Sequence, residues 1–533
     1  MKTSACLYRL LEKISLIIIC IFVSVPVSAQ YVRKETYNTE RQRREKYKLS
    51  DWISYLSYRQ ISSMVMGYDH IYIGTRDGGI LRYKYYEDMW DYPYTTSNGL
   101  PDNRILNLAF ERETSILWAV TPVDTAIFLP TEEVWLSKSE AEYWNYTFPQ
   151  IDEMKQNQGG APIKRLQNRE SLQQLPTFFA NGEYTVIDNW ILMDKYLREF
   201  TIKGYFQDSK DRIWFAVDDF GIGLGDLFIN RADFYQFGLP AVSPRVIAFA
   251  GKDLWIGGIK LNYGRPGIAN WPSDKLSWEY YESRWISMLP NDNVRDILVL
   301  GDSLWFATDY GVAMYNPGKD RWRNFSLREG LVSNIVLDLE VLANYIYVAT
   351  EQGYSQIDLY TNQVKRSKDK RFFNLPVNRF AVQNDTLWAA TNRGIFRLIS
   401  KTDKWEFIPS QAAIQDLRIT AIEYFDGEMW FASEGGVMKL ELNSNKWESF
   451  PPLTFEIPPP YMDIKVNDKS VWVATGEGLL KFDRKRNFWR LFTIQDGLLD
   501  NRCYRILVDG DYLWVTTMTG ITRFFWNNPE RFD

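Results

Sequence analysis

The chain has 533 residues, more than one ordinary domain holds, and 16% of them are aromatic, including 21 Trp. A chain so rich in large apolar side chains can bury an extensive core, which excludes a mainly disordered protein. The formal net charge is −5 without any basic block, which argues against nucleic acid as a partner.

The N-terminal segment has the three parts of a secretory signal. Lys2, Arg9 and Lys13 precede an apolar stretch at 14–27, and small residues lead to Ala29. We expect cleavage after Ala29 and therefore an exported protein, in the periplasm or at the cell surface. A membrane anchor is the alternative, but the apolar stretch is shorter than the roughly 20 residues of a spanning helix.

Cleavage would remove Cys6 and Cys20 and leave Cys503, so the mature monomer could form no internal disulfide. A lipid anchor on Cys20 is a further alternative, although Ile19 stands where a small residue is preferred. We divide the chain into a signal peptide at 1–29, a polar lead-in at 30–50 and propeller repeats at 51–533.

One pattern recurs along the repeats: an apolar run with a central aromatic residue, a small residue, Thr or Ser, and a Gly three residues later. Its clearest copies are Ile71–Gly78, Leu304–Gly311, Ile346–Gly353, Leu387–Gly394, Met429–Gly436, Val471–Gly478 and Leu513–Gly520, with looser copies at Trp118, Trp214 and Trp255. From Trp305 onward the aromatic residue returns about every 42 residues, which is typical of a four-stranded propeller blade.

The chemistry of the repeat agrees with this period. A run such as Leu304–Ala307 is apolar at every position, so the strand needs cover on both faces, and neighbouring blades supply that cover. The Thr-x-x-Gly element predicts a hairpin turn, because Gly tolerates the positive φ of tight turns. A third strand, a Trp-opening fourth strand and a Gly-Leu-x-x-Asn loop complete each repeat.

The last repeat, at 513–525, lacks an outer strand, and Asp51–Leu56 matches the missing one. We therefore predict an all-β propeller of about ten to eleven four-stranded blades, closed by the N-terminal strand joining the last blade. The eleventh would be a degraded hairpin at 184–200. We favour two rings over one.

Two stretches of the chain depart from the repeat pattern, and one stretch follows it most closely. The stretch at about 145–182 is interpreted as an insertion or lid, and the stretch at 257–285 as a second, aromatic insertion. The best-formed blades are expected at about 286–533.

The unit Gly-Leu-x-x-Asn, apolar strand, Leu-Trp-x-x-Thr-x-x-Gly resembles the two-component regulator propeller repeat. Its best matches are Gly330–Asn334 with Ile346–Gly353 and Gly497–Asn501 with Leu513–Gly520. The resemblance implies exported propellers, often paired, that form the sensor half of hybrid histidine kinases and recognise oligosaccharides. Similar double propellers serve as accessory surface proteins of type IX secretion. This sequence shows no kinase, no second membrane helix and no sorting domain, so we expect it to signal only through a partner.

The sequence offers little for catalysis. Its one histidine, His70, is interpreted as a loop residue, and no Cys/His cluster has zinc spacing. The acids between Asp218 and Asp226 are interpreted as a solvated glycine-rich turn rather than a calcium loop. We expect no enzyme, no metal and no cofactor. A polysaccharide lyase or hydrolase remains the alternative, because 67 acidic residues make some suitably spaced carboxylate pair unavoidable.

Strands in a blade alternate in direction, so the Thr-x-x-Gly turns and the Gly-Leu-x-x-Asn loops should open on one face. Their variable positions are the candidate ligand-binding residues: Arg76, Asp77, Asn103, Asp309, Tyr310, Glu351, Gln352, Asn392, Arg393, Glu434 and Glu477. The Asn of the loop is expected to be structural, since Asn caps turns. We predict a binding module, sensor-like or scaffold, for a glycan or an envelope protein. A membrane-bound kinase or a type IX-like secretion complex is a further possible partner.

Overall fold

The structure, a computed structural model, describes residues 32–143, 172–180, 182–208, 210–399, 404–409 and 417–531. The predicted signal peptide and most of the predicted insertion at 145–182 lie outside these residues. The described chain forms ten sheets, built almost entirely from antiparallel strands. The predicted all-β propeller class is confirmed.

Seven of the sheets form a closed ring, numbered here as blades 1 to 7. Blades 1 to 3 contain, from the inner strand outward, Val242–Ala250, Asp253–Lys260, Ile268–Trp271 and Glu279–Tyr281; Val294–Leu300, Ser303–Thr308, Gly311–Asn316 and Arg321–Phe325; and Val336–Leu342, Tyr345–Thr350, Gly353–Asp358 and Val364–Arg366. Blades 4 to 6 contain Val377–Gln383, Thr386–Thr391, Gly394–Ile399 and Lys404–Ile408; Ile419–Phe425, Glu428–Ser433, Gly436–Glu441 and Lys446–Phe450; and Asp463–Val466, Ser470–Ala474, Leu479–Asp483 and Phe488–Phe492. Each inner strand contacts the next one, and the inner strand of blade 7 returns to that of blade 1.

Blade 7 is assembled from both ends of the described chain. Its strands Cys503–Asp509, Tyr512–Thr517 and Ile521–Phe525 take Trp52–Tyr55 as the outer strand. Trp52 lies opposite Phe524, and the two rings stack with centroids 3.7 Å apart. The predicted closure by the N-terminal strand is confirmed, and it gives the last blade the fourth strand that the other blades have.

The other three sheets form a row beside the ring, which we call the side array. Side sheet 1 contains Ile61–Met66, His70–Thr75, Ile80–Lys84 and Met89–Tyr94; side sheet 2 contains Asn107–Glu111, Ile116–Val120, Thr125–Leu129 and Val134–Leu136; side sheet 3 contains Phe179–Ala180, Tyr184–Ile187, Ile191–Asp194, Glu199–Gln207, Arg212–Val217, Gly221–Asp226 and Arg231–Tyr235. Side sheet 1 packs one face on sheet 2 and the other on sheet 3. This row of three stands in place of the second ring that the sequence favoured.

The side array is inserted between the closing strand and blade 1, and its two crossovers run side by side. The Leu239 N–H donates to the Leu56 carbonyl over 2.8 Å, and Ser57 pairs with Gly238 in an antiparallel bridge. Trp90 of side sheet 1 packs on Phe237, with ring centroids 5.2 Å apart. These contacts hold the array against the ring.

Segments outside the repeat pattern cover the two outward faces of the side array. The helix Lys138–Tyr143 covers side sheet 2 through Ala141. Leu172 and Phe178 cover side sheet 3. The hairpin predicted at 184–200 extends side sheet 3 and forms no blade of its own. An array end needs such a cap, because no neighbouring blade buries its apolar face.

The repeated Trp residues fill the spaces between blades, as predicted. Trp305 of blade 2, only 2% exposed, lies in one cluster with Leu339 and Val348 of blade 3. The turn that follows has φ +115° at Gly311, where a Cβ would lie 2.2 Å from the Phe325 carbonyl oxygen. The Thr308 hydroxyl donates to the Gly311 carbonyl over 2.8 Å, which explains the Thr-x-x-Gly spacing.

Two sequence interpretations are wrong in detail. The stretch at 257–285, interpreted as an insertion, supplies the two outer strands of blade 1. The glycine-rich stretch expected to be a turn is the strand Gly221–Asp226 of side sheet 3. A Cβ at Gly223 would lie 2.6 Å from the Phe234 ring, so the glycine makes room for aromatic packing.

The lead-in packs along blades 6 and 7. Val32–Arg33 pairs in parallel with Phe488–Phe492. The helix Glu40–Lys46 is capped at its N-terminus by Thr39, whose side chain accepts from the Gln42 N–H. Short helices elsewhere are Leu49–Asp51, Thr96–Asn98, Pro317–Lys319, Lys370–Phe372 and Pro452–Phe455.

A buried polar cluster fixes the lead-in. Arg490, 1% exposed, lies 3.1 Å from Asp496 and 3.3 Å from Glu35, and it donates to the Tyr47 hydroxyl over 2.7 Å. Burial alone would raise the pKa of Glu35, but the hydrogen bond from Lys46 and the charge of Arg490 outweigh it and lower that pKa to about 2.

Candidate binding site at the mouth of the ring

The inner strands of the ring share a β-bulge near their first residue. In six blades the pairing register skips one residue there: Arg245, Arg295, Leu337, Asn378, Thr420 and Tyr504. In blade 6, Met462 holds the same place and donates its backbone N–H to Ala474. A bulge leaves its extra residue outside the ladder and redirects the side chain, so the ring presents these residues around one opening.

This opening, which we call the mouth, is a cavity of about 630 Å³. Its lining consists of Arg245, Ile259, Arg295, Leu337, Glu351, Pro376, Asn378, Arg379, Asn392, Arg418, Met462, Tyr504 and Arg505. Five of these are arginines, so the lining is dominated by guanidinium groups.

Below the mouth, two arginines meet aspartates from other blades. Arg379 lies 2.8 Å from Asp338 and 3.8 Å from both Asp296 and Asp463. Arg505 pairs with Asp296 and lies 3.9 Å from Asp463. This floor joins residues of blades 2, 3, 4, 6 and 7 across the axis.

The same aspartates also connect neighbouring blades through hydrogen bonds. Asp296 accepts the Leu339 N–H, Asp338 accepts the Phe380 N–H, and Asp463 accepts the Ile506 N–H. Burial raises the pKa of Asp338 to about 7, although Arg379 opposes the rise.

The other three arginines of the lining, which do not pair with the floor aspartates, have different partners. Arg295 lies 2.5 Å from Asp309, and Arg418 lies 3.9 Å from Glu434. Arg245 stacks on Tyr504, with its guanidinium carbon 3.4 Å from the ring centroid.

The structure divides the eleven predicted site residues among three locations. Glu351 and Asn392 line the mouth, while Asp309 and Glu434 reach it through their contacts with Arg295 and Arg418. Arg76, Asp77 and Asn103 line a second cavity of about 820 Å³ between the side array and the ring. Outside both linings lie the exposed residues Tyr310, Gln352, Arg393 and Glu477.

The turns and loops predicted to share a face do so. The Gly311 N–H donates to the Asn334 carbonyl over 2.7 Å, which joins a Thr-x-x-Gly turn to the neighbouring Gly-Leu-x-x-Asn loop. The Asn103 side chain accepts the Thr96 N–H, and Asn334 and Asn501 make the equivalent bonds. These bonds give the loop Asn the structural role that the sequence suggested.

Sequence reasoning missed the bulge residues, although they carry a regular signal. Each stands ten residues before the aromatic residue of its repeat, as Arg295 does before Trp305 and Tyr504 before Trp514. The variable side chains of the turns are more conspicuous in the sequence than this single position in the strand that precedes each aromatic residue.

His70 is a structural residue rather than a loop residue. It begins the strand His70–Thr75 and is buried, with Nε2 3.1 Å from Asp91 and Nδ1 2.8 Å from Asp69. In the part of the chain that the structure describes, no group of His, Cys, Asp and Glu is arranged to hold a metal ion. No helix among the described residues combines the length and apolar character needed to cross a membrane.

No family model matches the chain, and no curated protein matches it. Among solved structures it is similar to the extracellular domain of BT4673 from B. thetaiotaomicron, put forward as a hybrid two-component system. The identity is 15% and the TM-score 0.44, over 87% of this chain and 70% of that one. The equivalent domain of BT3049 has 15% identity and a TM-score of 0.36, over 91% and 77%.

A virginiamycin B lyase from Staphylococcus aureus is also similar, at 15% identity and a TM-score of 0.43, over 53% of this chain and 94% of that one. By its own strand pairing the chain is a β-propeller protein.

Proposed function

We propose that the protein is an exported binding module that recognises a glycan or a partner envelope protein at the mouth of the seven-bladed ring. The observation that carries this proposal is the convergence of bulged residues from the inner strands on one arginine-rich opening. A closed ring of packed blades is rigid, and variable polar side chains on a rigid scaffold are typical of recognition sites.

The size and chemistry of the mouth support a binding role. Its volume of about 630 Å³ falls in the range of sites for small ligands and short chain segments. Guanidinium, amide and phenol groups hydrogen-bond polar ligands, and the stacking of Arg245 on Tyr504 fixes two of them in place. The floor carboxylates are already engaged by backbone N–H groups and arginines, which favours binding over hydrolysis.

The module would act as a sensor-like or scaffold component. The resemblance to regulator propeller repeats supports a sensor-like role through a membrane-bound kinase. Membership of a type IX-like surface complex is the alternative. Both roles use the same mouth and differ in the partner that the protein recruits.

The test is capture by the purified mature protein, on a glycan array and from solubilised native envelope. We expect a wild-type signal that falls at least about tenfold when Asn378 and Arg418, both in the lining, are replaced by Ala. Arg321→Ala, on the exposed outer strand of blade 2, is the matched control and should bind as the wild type does. If the folded protein captures nothing on the glycan array and nothing from the envelope, the binding role is wrong.

A further inference from the structure

The proposed function leaves the chemical class of the ligand open. The charges of the mouth indicate which class it would bind. We infer that the mouth binds the anionic group of an acidic oligosaccharide and that Arg245 is its principal recognition residue. This inference rests on the proposed function and names the ligand class for the same site.

Four of the five mouth arginines have acidic partners. Arg379 and Arg505 are paired with the floor aspartates, and Arg295 lies 2.5 Å from Asp309. Arg418 lies 3.9 Å from Glu434, a looser contact between half-exposed groups. These four guanidiniums are therefore wholly or partly neutralised within the protein.

Arg245 differs from the others. Among the described residues no carboxylate lies within ion-pair distance of it, and its buried Nε makes no hydrogen bond. Burial lowers the pKa of Arg245; Tyr504 opposes this effect and the charge of Arg295 adds to it. Since Arg295 is already paired with Asp309, the half-buried charge of Arg245 is the one that an incoming anion would neutralise.

The geometry of Arg245 suits an external anion. Stacking on Tyr504 at 3.4 Å fixes the plane of the guanidinium, so little conformational entropy is lost when a ligand binds. A planar guanidinium binds a carboxylate or a sulfate through two parallel hydrogen bonds. Arg418 stands on the same lining and can supply a second donor.

The rest of the lining favours a saccharide as the carrier of that charge. The Asn378 side chain donates to Asn392 over 2.9 Å and to the Ile419 carbonyl over 2.7 Å, which leaves the Asn378 Oδ1 as an acceptor and the Asn392 Nδ2 as a donor for sugar hydroxyls. Glu351, exposed on the same lining, can accept hydrogen bonds from sugar hydroxyls. An anionic group on a hydroxyl-rich ligand fits this mixture better than an acidic peptide does, because sugar hydroxyls donate to Glu351 whereas ionised acidic side chains do not.

The experiment measures calorimetric binding to four probes: trigalacturonate, its methyl ester, a heparin-derived tetrasaccharide and a tetraglutamate peptide. We expect one of the two acidic saccharides to bind, the carboxylate or the sulfate being identified by which one does. The neutral methyl ester should bind at least about tenfold more weakly than trigalacturonate if the carboxylate is recognised. Binding should weaken as salt is raised, because charge contributes to it.

The variants test Arg245 itself. Arg245→Gln should weaken binding at least about tenfold. Arg245→Lys should retain only part of the wild-type affinity, since Lys keeps the positive charge but cannot make the two parallel hydrogen bonds of a guanidinium. Glu351→Gln should tighten binding about two- to fivefold by removing a like charge. Arg321→Gln, which removes a positive charge far from the mouth, should leave binding unchanged. Thermal unfolding of each variant shows whether the fold is intact.

Three outcomes of the calorimetric experiment would overturn the inference. They are binding of tetraglutamate in place of both acidic saccharides, no binding of any probe, and equal binding by folded Arg245→Gln and Arg321→Gln. Capture of a neutral glycan at the mouth would refute the anionic class and leave the proposed function standing. Absence of all capture on the array and from the envelope would instead remove the proposed function.

Discussion

The ring and the side array are built from the same repeat, yet they solve the problem of burial differently. In the ring each blade covers its two neighbours, and the closing strand Trp52–Tyr55 completes the last blade. The array has two outward faces without a neighbouring blade, and segments outside the repeat pattern cover them at Ala141 and Phe178. Three repeats thus need caps where seven need none, because only a closed circuit buries every blade face.

The largest effect on stability is expected from two single tryptophan substitutions, one in the ring and one in the side array. Trp472→Ala in blade 6 and Trp135→Ala in side sheet 2 each remove a fully buried indole and should cost about 3–5 kcal/mol. The ring variant should lose hydrogen-exchange protection in all seven blades, since a closed circuit unfolds as one unit. The array variant should lose protection only in the side sheets. Uniform loss in both variants would contradict separate cooperativity of the two regions.

A second prediction concerns the cap of side sheet 3. Phe178 is buried against Phe215, with ring centroids 5.3 Å apart, whereas the adjacent Phe179 is 72% exposed. Phe178→Ala should destabilise the side array by about 2–4 kcal/mol without changing the ring. Phe179→Ala is the matched control and should change stability by less than about 0.5 kcal/mol. Limited proteolysis reports the loosened array, and equal cleavage of the two variants would show that Phe178 is no cap.

A third prediction sets the pH response of the ring. Burial raises the pKa of Glu340 on the inner strand of blade 3 to about 7, with Asp338 and Asp296 adding to the rise and Lys465 opposing it. The folded state therefore holds this proton more tightly than the unfolded state, and the stability it contributes is lost as pH rises from about 4.5 through 7. Glu340→Gln should be more stable than the wild type at pH 8 by about 1–3 kcal/mol.

At pH 4 the same variant should equal the wild type, because Glu340 is then protonated in both states. Asp302→Asn, in an exposed turn of blade 2, is the control. Urea unfolding at pH 4, 6 and 8 measures the difference, and a gain for Glu340→Gln that is independent of pH would refute the assignment.

The smallest effect is expected at the lead-in, with the opposite sign. The folded pKa of Glu35 is lowered to about 2, so its contribution is present above about pH 4.5 and is lost as pH falls through 2. Glu35→Gln should weaken lead-in protection by about 1–2 kcal/mol at pH 7 and by progressively less as the pH falls through 2. Hydrogen exchange of residues 32–51 measures this, and equal protection at pH 7 would exclude the ion cluster as the anchor.

Much of the fold was predictable because its rules are local. The indole at Trp305, the hydroxyl at Thr308 and the glycine at Gly311 lie within seven residues, and blades 2 to 7 repeat this pattern, with Tyr347 in place of Trp in blade 3 and Ser433 in place of Thr in blade 5. The candidate site was predictable only in part. Glu351 and Asn392 stand on turns that the motif locates, whereas the direction of Arg245 depends on a bulge and on Tyr504 of the neighbouring blade 7.

The sequence alone determined the repeat unit, the pairing of its four strands and the strand that closes the last blade, since each follows from residues close along the chain or from a missing partner. Only the tertiary structure decided that seven blades close and three stand aside, because closure depends on the angles at which separate sheets pack. It also brought Arg379 of blade 4 against Asp296 and Asp463 of blades 2 and 6. Residues that meet across an axis share no local pattern, so their pairing exists only once the ring has formed.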